Sequence, residues 1–196
     1  DTMAEFLSYA VGCMFGRYSL DTPGLILANQ GERLEDYLAI LQAKGVPSPT
    51  FTPDADNVIP VLDGDWFADD ITERFRLFLT VTFGKERFAD NLAFIEEALG
   101  KDIRKYFLKD FYKDHVKRYK KRPIYWMFSS PKGSFNALIY MHRYRPGTVS
   151  VILNDYLREF RSKITVARKE CERVEASADG SQREKVQAGK DRMRYD

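Results

Sequence analysis

The chain has 196 residues, of which 44% are hydrophobic and 14% aromatic. This composition excludes a disordered protein, and no apolar run approaches the roughly 18–20 residues that cross a bilayer, so no membrane partner is expected. The net charge is only +2, but residues 1–100 carry 7 basic and 17 acidic side chains, whereas residues 101–196 carry 24 and 12. Such charge separation favours a polyanion, nucleic acid first of all, as the partner of the C-terminal half.

Apolar residues at helical spacing predict four helices in the acidic half. The helices are expected at Thr2–Tyr18, Glu32–Ala43, Phe67–Thr82 and Phe88–Leu99. Asp63 or Asp65 is expected to cap the third helix, and Gly100 to end the fourth. Four prolines exclude a helix from residue 44 to residue 60, so this stretch is predicted to be an extended connection.

A basic helix is predicted from about Asp102 to Lys121, because Pro123 cannot continue it. Two β-favouring runs follow, IYWMFSS and SFNALIYMH, separated by a Pro-Lys-Gly turn. They predict a β-hairpin within residues 123–143.

A last helix is predicted from Thr148, a suitable N-cap residue. Its apolar residues, from Val149 to Val174, recur at nearly heptad spacing, which favours pairing with another helix inside or outside this chain. The charged residues after Ala176 predict a mobile tail. The predicted fold class is therefore mainly α with a small β-hairpin (α+β), with a helical domain over residues 1–147 and a long, coiled-coil-like helix and tail over residues 148–196.

Basic residues gathered in and after the basic helix are the candidate DNA contacts. Lysines at intervals of 4, 4 and 3 would form a stripe along one side of that helix, namely Lys109, Lys113, Lys117 and Lys120. A lysine is a point charge without a planar fork, so the stripe suits phosphates better than base edges. A solvated helix face without a partner is the alternative interpretation. The candidates are Lys109, Lys113, Lys117, Arg118, Lys120, Lys121, Arg122, Lys132, Arg143 and Arg145.

Aromatic residues of the predicted hairpin could stack on unpaired bases if they are exposed. Their alternation along the strands instead favours a place in the core for most of them. They are Tyr125, Trp126, Phe128, Phe135 and Tyr140.

No motif in the sequence predicts a catalytic, cofactor or metal site. The two histidines, His115 and His142, lack partners at zinc-ligand spacing. An acidic cluster within residues 63–70 lacks the Gly and the final Glu of a calcium loop, so helix capping explains it better than metal binding. The acidic residues are Asp63, Asp65, Asp69 and Asp70.

Four small residues complete the set of candidate features. Gly12 and Gly16 lie inside a helical pattern with no strand before it, which indicates close packing and not a phosphate loop. Cys13 and Cys171 lie among apolar neighbours and are interpreted as reduced, buried thiols of a cytoplasmic protein, a disulfide between them being the alternative. The chain starts with Asp1, and we expect it to be part of a longer polypeptide.

Three stretches of the chain resemble one known family. They are SYAVGCMFGRYSLD (Ser8–Asp21), ALGKDIRKYFLKDFYKDHVKRYKKRPIYW (Ala98–Trp126) and SSPKGSFNALIYMHRY (Ser129–Tyr144). They are similar to the region downstream of the catalytic domain in the PglX family, the adenine-specific DNA methyltransferases of BREX phage-defence systems. Related fused restriction–modification methyltransferases carry similar sequence.

The resemblance implies a parent enzyme that moves a methyl group from S-adenosylmethionine to the exocyclic amine of adenine in DNA. The Asn-Pro-Pro-Tyr motif and the glycine-rich cofactor motif of the family are absent from this chain, so no catalytic or cofactor residue can be assigned here. The chain would be a non-catalytic C-terminal part that contacts double-stranded DNA or acts as a scaffold. The alternative is a protein-interaction module that docks a helix or another protein of the defence system.

Overall fold

Helical segments make up most of the structure, a computed structural model that describes residues 2–196. Two compact units are present, one reaching to Val151 and the other running from Ile152 to Asp196. The helices of the first unit are α1 (Thr2–Phe15), α2 (Leu34–Ala43), α3 (Ile71–Phe83), α4 (Phe88–Leu99), α5 (Ile103–Tyr106), α6 (Tyr112–Arg118) and α7 (Thr148–Val151). Its strands are β1 (Ile59–Pro60), β2 (Tyr125–Ser129) and β3 (Asn136–Tyr140). The predicted class, mainly α with a small β-hairpin, is confirmed.

Shorter helical turns join several of these elements. A π-helical turn, Phe107–Phe111, connects α5 to α6, and 3₁₀ turns lie at Lys85–Arg87 and Met141–Arg143. The second unit consists of a π-helical turn, Ile152–Leu157, followed by α8 (Arg158–Ala176) and α9 (Gln182–Tyr195).

Helix α1 is the centre of the core of the first unit. Leu7, Val11 and Met14 are fully buried, as their helical spacing predicts. The helix ends at Phe15, earlier than the predicted Tyr18, because Gly16 adopts a left-handed backbone with φ of 81°.

Gly12 shows why the first helix needs small residues. A Cβ at this position would lie 2.4 Å from Cδ2 of Tyr18, whose ring stacks on Tyr9 at a centroid distance of 5.4 Å. The predicted role of this glycine in close packing is confirmed.

The sheet has the order β1-β3-β2 and is antiparallel throughout. The hairpin predicted within residues 123–143 is present, with Tyr125 opposite Tyr140. Strand β1 lies inside the predicted proline-rich connection and was missed by the sequence analysis. Its Pro60, opposite Ala137, has no N–H to donate and is tolerated because β1 is an edge strand.

Asn57 extends the pairing of the edge strand through its side chain. Its Nδ2 donates to the carbonyl of Tyr140 at 3.0 Å, and its Oδ1 accepts from the Tyr140 N–H at 3.1 Å. The residue has a left-handed φ of 64°, which asparagine tolerates better than most residues.

The cap of α3 differs from the prediction. Asp70, and not Asp63 or Asp65, is the N-cap, and its Oδ1 accepts from the backbone N–H of Glu73 at 2.9 Å. The helix accordingly starts at Ile71 and excludes Phe67. The prediction for α4 is confirmed, because it spans Phe88–Leu99 and ends at a left-handed Gly100.

The second unit ends in a helix where the sequence analysis expected a mobile tail. Residues Gln182–Tyr195 form α9, whose N-cap Ser181 exchanges hydrogen bonds with Glu184 in a capping box. Helix α8 packs against α9, and Arg192 donates to Glu175 at 2.7 Å between them. A partner helix for the heptad-like pattern is therefore present within this chain.

Both cysteines are free thiols, as predicted. Cys13 is buried and Cys171 is partly exposed, so the expected burial is wrong for Cys171. No helix within residues 2–196 is long and apolar enough to cross a membrane.

Candidate nucleic-acid interface

The basic helix is fixed to the core by one apolar face. Asp102 caps α5 by accepting from the Lys105 N–H at 3.0 Å. Phe107 and Phe111 are buried, and the ring of Phe107 packs edge-on against Phe75 of α3 at 5.7 Å. Because this face points inward, the lysines between the apolar positions are left on the outside.

The continuous α-helix predicted from Asp102 to Lys121 is interrupted and shorter. The π-helical turn at residues 107–111 contains more residues per turn than an α-helix, so Lys109 is not aligned with the later lysines by the predicted spacing. Lys113 and Lys117 lie one turn apart on α6, which ends at Arg118.

Two lysines close the C-terminus of α6 in an unusual backbone conformation. Lys120 has φ of 51° and Lys121 has φ of 65°, both in the left-handed region that glycine prefers. The N–H of Lys120 donates to the carbonyl of Lys117, and the N–H of Lys121 to the carbonyl of Val116. This is a Schellman-type end with lysine at the usual glycine position, and it carries a conformational cost of about 1–2 kcal/mol per residue.

His115 ties the basic helix to the hairpin. The side chain is 2% exposed, and its Nε2 accepts from the backbone N–H groups of Ile124 at 3.1 Å and Tyr125 at 3.2 Å. Burial, together with nearby Arg118 and Arg17, lowers the pKa of His115 to about 4, so the ring is neutral and remains an acceptor. The sequence analysis considered this histidine only as a metal ligand, and no local pattern indicates its structural role.

Six of the ten candidate residues form what we call the basic surface. They are exposed, and none of them makes an ion pair with any other residue of the 2–196 segment. They occupy the basic helix and the turn that follows it. The basic surface consists of Lys109, Lys113, Lys117, Lys120, Lys121 and Arg122.

The other four candidates have different environments. Lys132 is exposed in the turn of the hairpin, and Arg118 pairs with Glu5 of α1 at 3.3 Å. Arg145 is only partly exposed and lines a separate cleft.

Arg143 does not belong to an exposed basic surface, and that prediction is wrong. It is 3% exposed, and its guanidinium donates to the carbonyls of Phe15 at 3.2 Å and Ala55 at 3.3 Å. These two carbonyls hold it inside the first unit, away from the exposed lysines of the basic helix.

Acidic residues neutralise other basic side chains, not the basic surface. Arg104 pairs with Asp65 at 2.6 Å and with Asp70 at 2.7 Å, and so accounts for part of the acidic cluster. Lys101 pairs with Asp110, and Asp114 accepts from the Tyr106 hydroxyl at 2.8 Å. Asp65 and Asp70 of the acidic half therefore pair at the start of the basic helix, and Glu5 pairs with Arg118 at its end. The six residues of the basic surface are left without an ion pair within residues 2–196.

The hairpin aromatics divide as their alternation predicts. Tyr125, Phe135 and Tyr140 are at most 4% exposed and belong to the core. Trp126 is 38% exposed and lies 6.0 Å from the ring of Tyr144. Phe128 is half-buried, so Trp126 is the most exposed of these aromatics and the best candidate for stacking on a base.

Two curated proteins are similar to this chain. The adenine-specific methyltransferase BrxX of Escherichia coli O9:H4 (strain HS) is 42% identical over 171 residues, which cover 80% of this chain and 14% of the relative. The adenine-specific methyltransferase PglX of Lacticaseibacillus casei (strain Zhang) is 45% identical over 163 residues, which cover 78% of this chain and 13% of the relative. No protein-family model matches the chain.

In both relatives, the aligned residues extend well beyond the three stretches that suggested the resemblance. The match spans only 13–14% of the length of the two relatives, so the chain corresponds to one segment of such a protein. The resemblance is thereby confirmed: this chain is similar to a segment of the PglX and BrxX adenine-specific methyltransferases.

Proposed function

We propose that this chain is a non-catalytic part of an adenine-specific DNA methyltransferase of a BREX phage-defence system, and that its basic surface contacts the DNA backbone. The observation that carries the proposal is the group of six exposed basic side chains without ion pairs. Side chains of this kind can neutralise phosphates and release counterions from DNA at little cost, because no internal partner has to be given up.

The composition of the basic surface supports positioning on DNA and not base recognition. Five of its six residues are lysines, which interact with phosphates as point charges. The exposed Trp126 of the neighbouring hairpin offers an additional stacking group.

The chemistry would reside elsewhere in the parent protein. There, S-adenosylmethionine would supply the methyl group, and a separate catalytic domain would hold the adenine. Residues of the present chain would hold the DNA against that domain and increase the affinity of the whole enzyme for its substrate. We propose other proteins of the defence system as further partners of the same segment.

Binding of the chain to a fluorescent DNA duplex, measured by anisotropy at fixed salt, tests the proposal. A variant with Lys117, Lys121 and Arg122 replaced by Gln should bind about 100-fold more weakly, because three phosphate contacts are lost. The matched control replaces Lys44, Lys85 and Arg87, which are exposed, lack ion pairs within residues 2–196 and lie outside the basic surface. Equal losses of affinity in the two variants would contradict the proposal.

A further inference from the structure

A cleft in the first unit is lined by arginines that the proposed DNA contact does not use. Its volume is about 530 Å³, within the usual range for small-ligand sites. Arg33, at the start of α2, and Arg145 line it together with the buried Arg143. Three arginine residues from two distant parts of the sequence therefore line the cleft, together with three acidic residues.

Arg143 is a buried cation whose hydrogen bonds go only to neutral groups. Two of its nitrogens donate to backbone carbonyls, and its Nε has no hydrogen-bond partner. Arg143 makes no ion pair within residues 2–196; the buried Asp54 pairs with Arg74, and Asp54 and Asp56 attract Arg143 from beyond ion-pairing distance. Carbonyl acceptors satisfy hydrogen bonds but do not balance a charge, and the attraction of Asp54 and Asp56 offsets the burial of Arg143 only in part, because burial still lowers the pKa of its guanidinium.

The rim of the cleft offers further unused donors. Neither Arg145 nor Arg33 makes an ion pair within the described segment. The backbone of Arg145 is held in place because its N–H donates to Oγ1 of Thr148 at 3.0 Å. Its guanidinium is therefore attached to an ordered turn and is available to a ligand.

Two of the three carboxylates that line the cleft accept hydrogen bonds from backbone N–H groups. Glu32 accepts from the backbone N–H groups of Ala28 at 2.7 Å and Asn29 at 2.8 Å. Asp56 accepts from the N–H of Val58 at 2.9 Å. Glu35 is exposed at the rim, where it would repel an anion.

We propose that this cleft binds the oxyanion group, phosphate or carboxylate, of a small ligand. The planar fork of arginine matches either group with two parallel hydrogen bonds. The bound oxyanion would balance the charge of Arg143 and engage Arg145 and Arg33 from the rim. This site is separate from the basic surface and does not depend on DNA binding.

Calorimetric titration of the full chain at constant ionic strength tests the site. Inorganic phosphate and acetate are the two probes, each titrated into the millimolar range against chloride. Saturable binding of phosphate, acetate or both is expected. The probe that binds with the higher affinity shows whether the site prefers a phosphate or a carboxylate. Absence of saturable binding for both probes would overturn the proposal.

Three variants place the binding in the cleft without disturbing the buried Arg143. Arg145→Gln should weaken binding about tenfold, because one charge-assisted contact is lost. Glu35→Gln should strengthen it several-fold, because a repulsive charge is removed, and the exposed Arg87→Gln should leave it unchanged. Unchanged affinity in Arg145→Gln and Glu35→Gln would show that the anion binds elsewhere and would overturn the proposal.

Discussion

The protonation of His115 is expected to make the stability of the first unit depend on pH. In the folded protein its pKa is lowered to about 4, whereas an unfolded histidine has a pKa of about 6.5. Between these values the unfolded chain binds a proton that the folded chain does not. The stabilising contribution is therefore complete above pH 6.5 and is lost as the pH falls towards 4.

We predict that this histidine reduces the free energy of unfolding by about 3 kcal/mol between pH 7 and pH 4. Urea unfolding of the wild type and of His115→Gln at several pH values measures the difference, in which the titration of the carboxylates cancels. The variant cannot take up this proton and should show the smaller loss. An imidazole resonance of His115 that titrates near pH 6.5 in the folded protein would contradict the prediction.

Replacing Lys120 with glycine is expected to change the stability of the fold and the affinity for DNA in opposite directions. Its left-handed φ of 51° suits glycine, so Lys120→Gly should raise the free energy of unfolding by about 0.5–1 kcal/mol. The same change removes one positive charge from the basic surface and should weaken DNA binding. Chemical denaturation and anisotropy measure the two effects on one protein.

Lys120→Gln is the matched control for this pair of effects. It removes the same charge but keeps a side chain on the left-handed backbone, so DNA binding should fall without any gain in stability. If the glycine variant proves less stable than the glutamine variant, the backbone conformation assigned to residue 120 is wrong.

At the scale of elements, the contact between α1 and the chain that follows it depends on Gly12. Gly12→Ala should lower the free energy of unfolding by about 1–3 kcal/mol, because a Cβ would lie 2.4 Å from the ring of Tyr18. Gly147→Ala is the control, since a Cβ there would meet nothing within 4 Å and should change stability by less than about 0.5 kcal/mol. Equal losses in thermal or urea unfolding would argue against the close packing at Gly12.

Local sequence patterns predicted the elements that local interactions determine. Helix α4 follows from its apolar spacing and from Gly100, and the hairpin follows from two β-favouring runs around a turn. Strand β1 could not be predicted in this way, because two residues pair only once β3 is beside them. Nor does any glycine mark the early end of α6 at Lys120 and Lys121.

The candidate site could be predicted only in part, because some of its residues are placed by local periodicity and others by contacts that are distant in sequence. The exposed lysines of α6 follow from helical periodicity, since the aromatic residues occupy the opposite face. The burial of Arg143 depends on carbonyls of Phe15 and Ala55, which are far away in sequence. The α9 helix was missed because half of its residues are charged and few are apolar, although Ser181 and Glu184 form a capping box that was available as a signal.

Across the whole molecule, ion pairs neutralise some of the basic residues of the C-terminal half and leave others unpaired. Acidic residues of the first hundred positions pair with Arg104 and Arg118, and these contacts are internal to the first unit. The six residues of the basic surface make no ion pair within residues 2–196, and we therefore propose this surface as the part of the chain that attracts DNA.

The dependence of DNA affinity on salt concentration tests the central claim most directly. If the six residues of the basic surface contact phosphates, the logarithm of the association constant should fall with the logarithm of salt concentration with a slope of about −5. Replacing Lys117, Lys121 and Arg122 by Gln should reduce the magnitude of that slope by about 3, and replacing Lys44, Lys85 and Arg87 should not change it. A slope that is the same in all three proteins would show that this surface does not bind the DNA backbone.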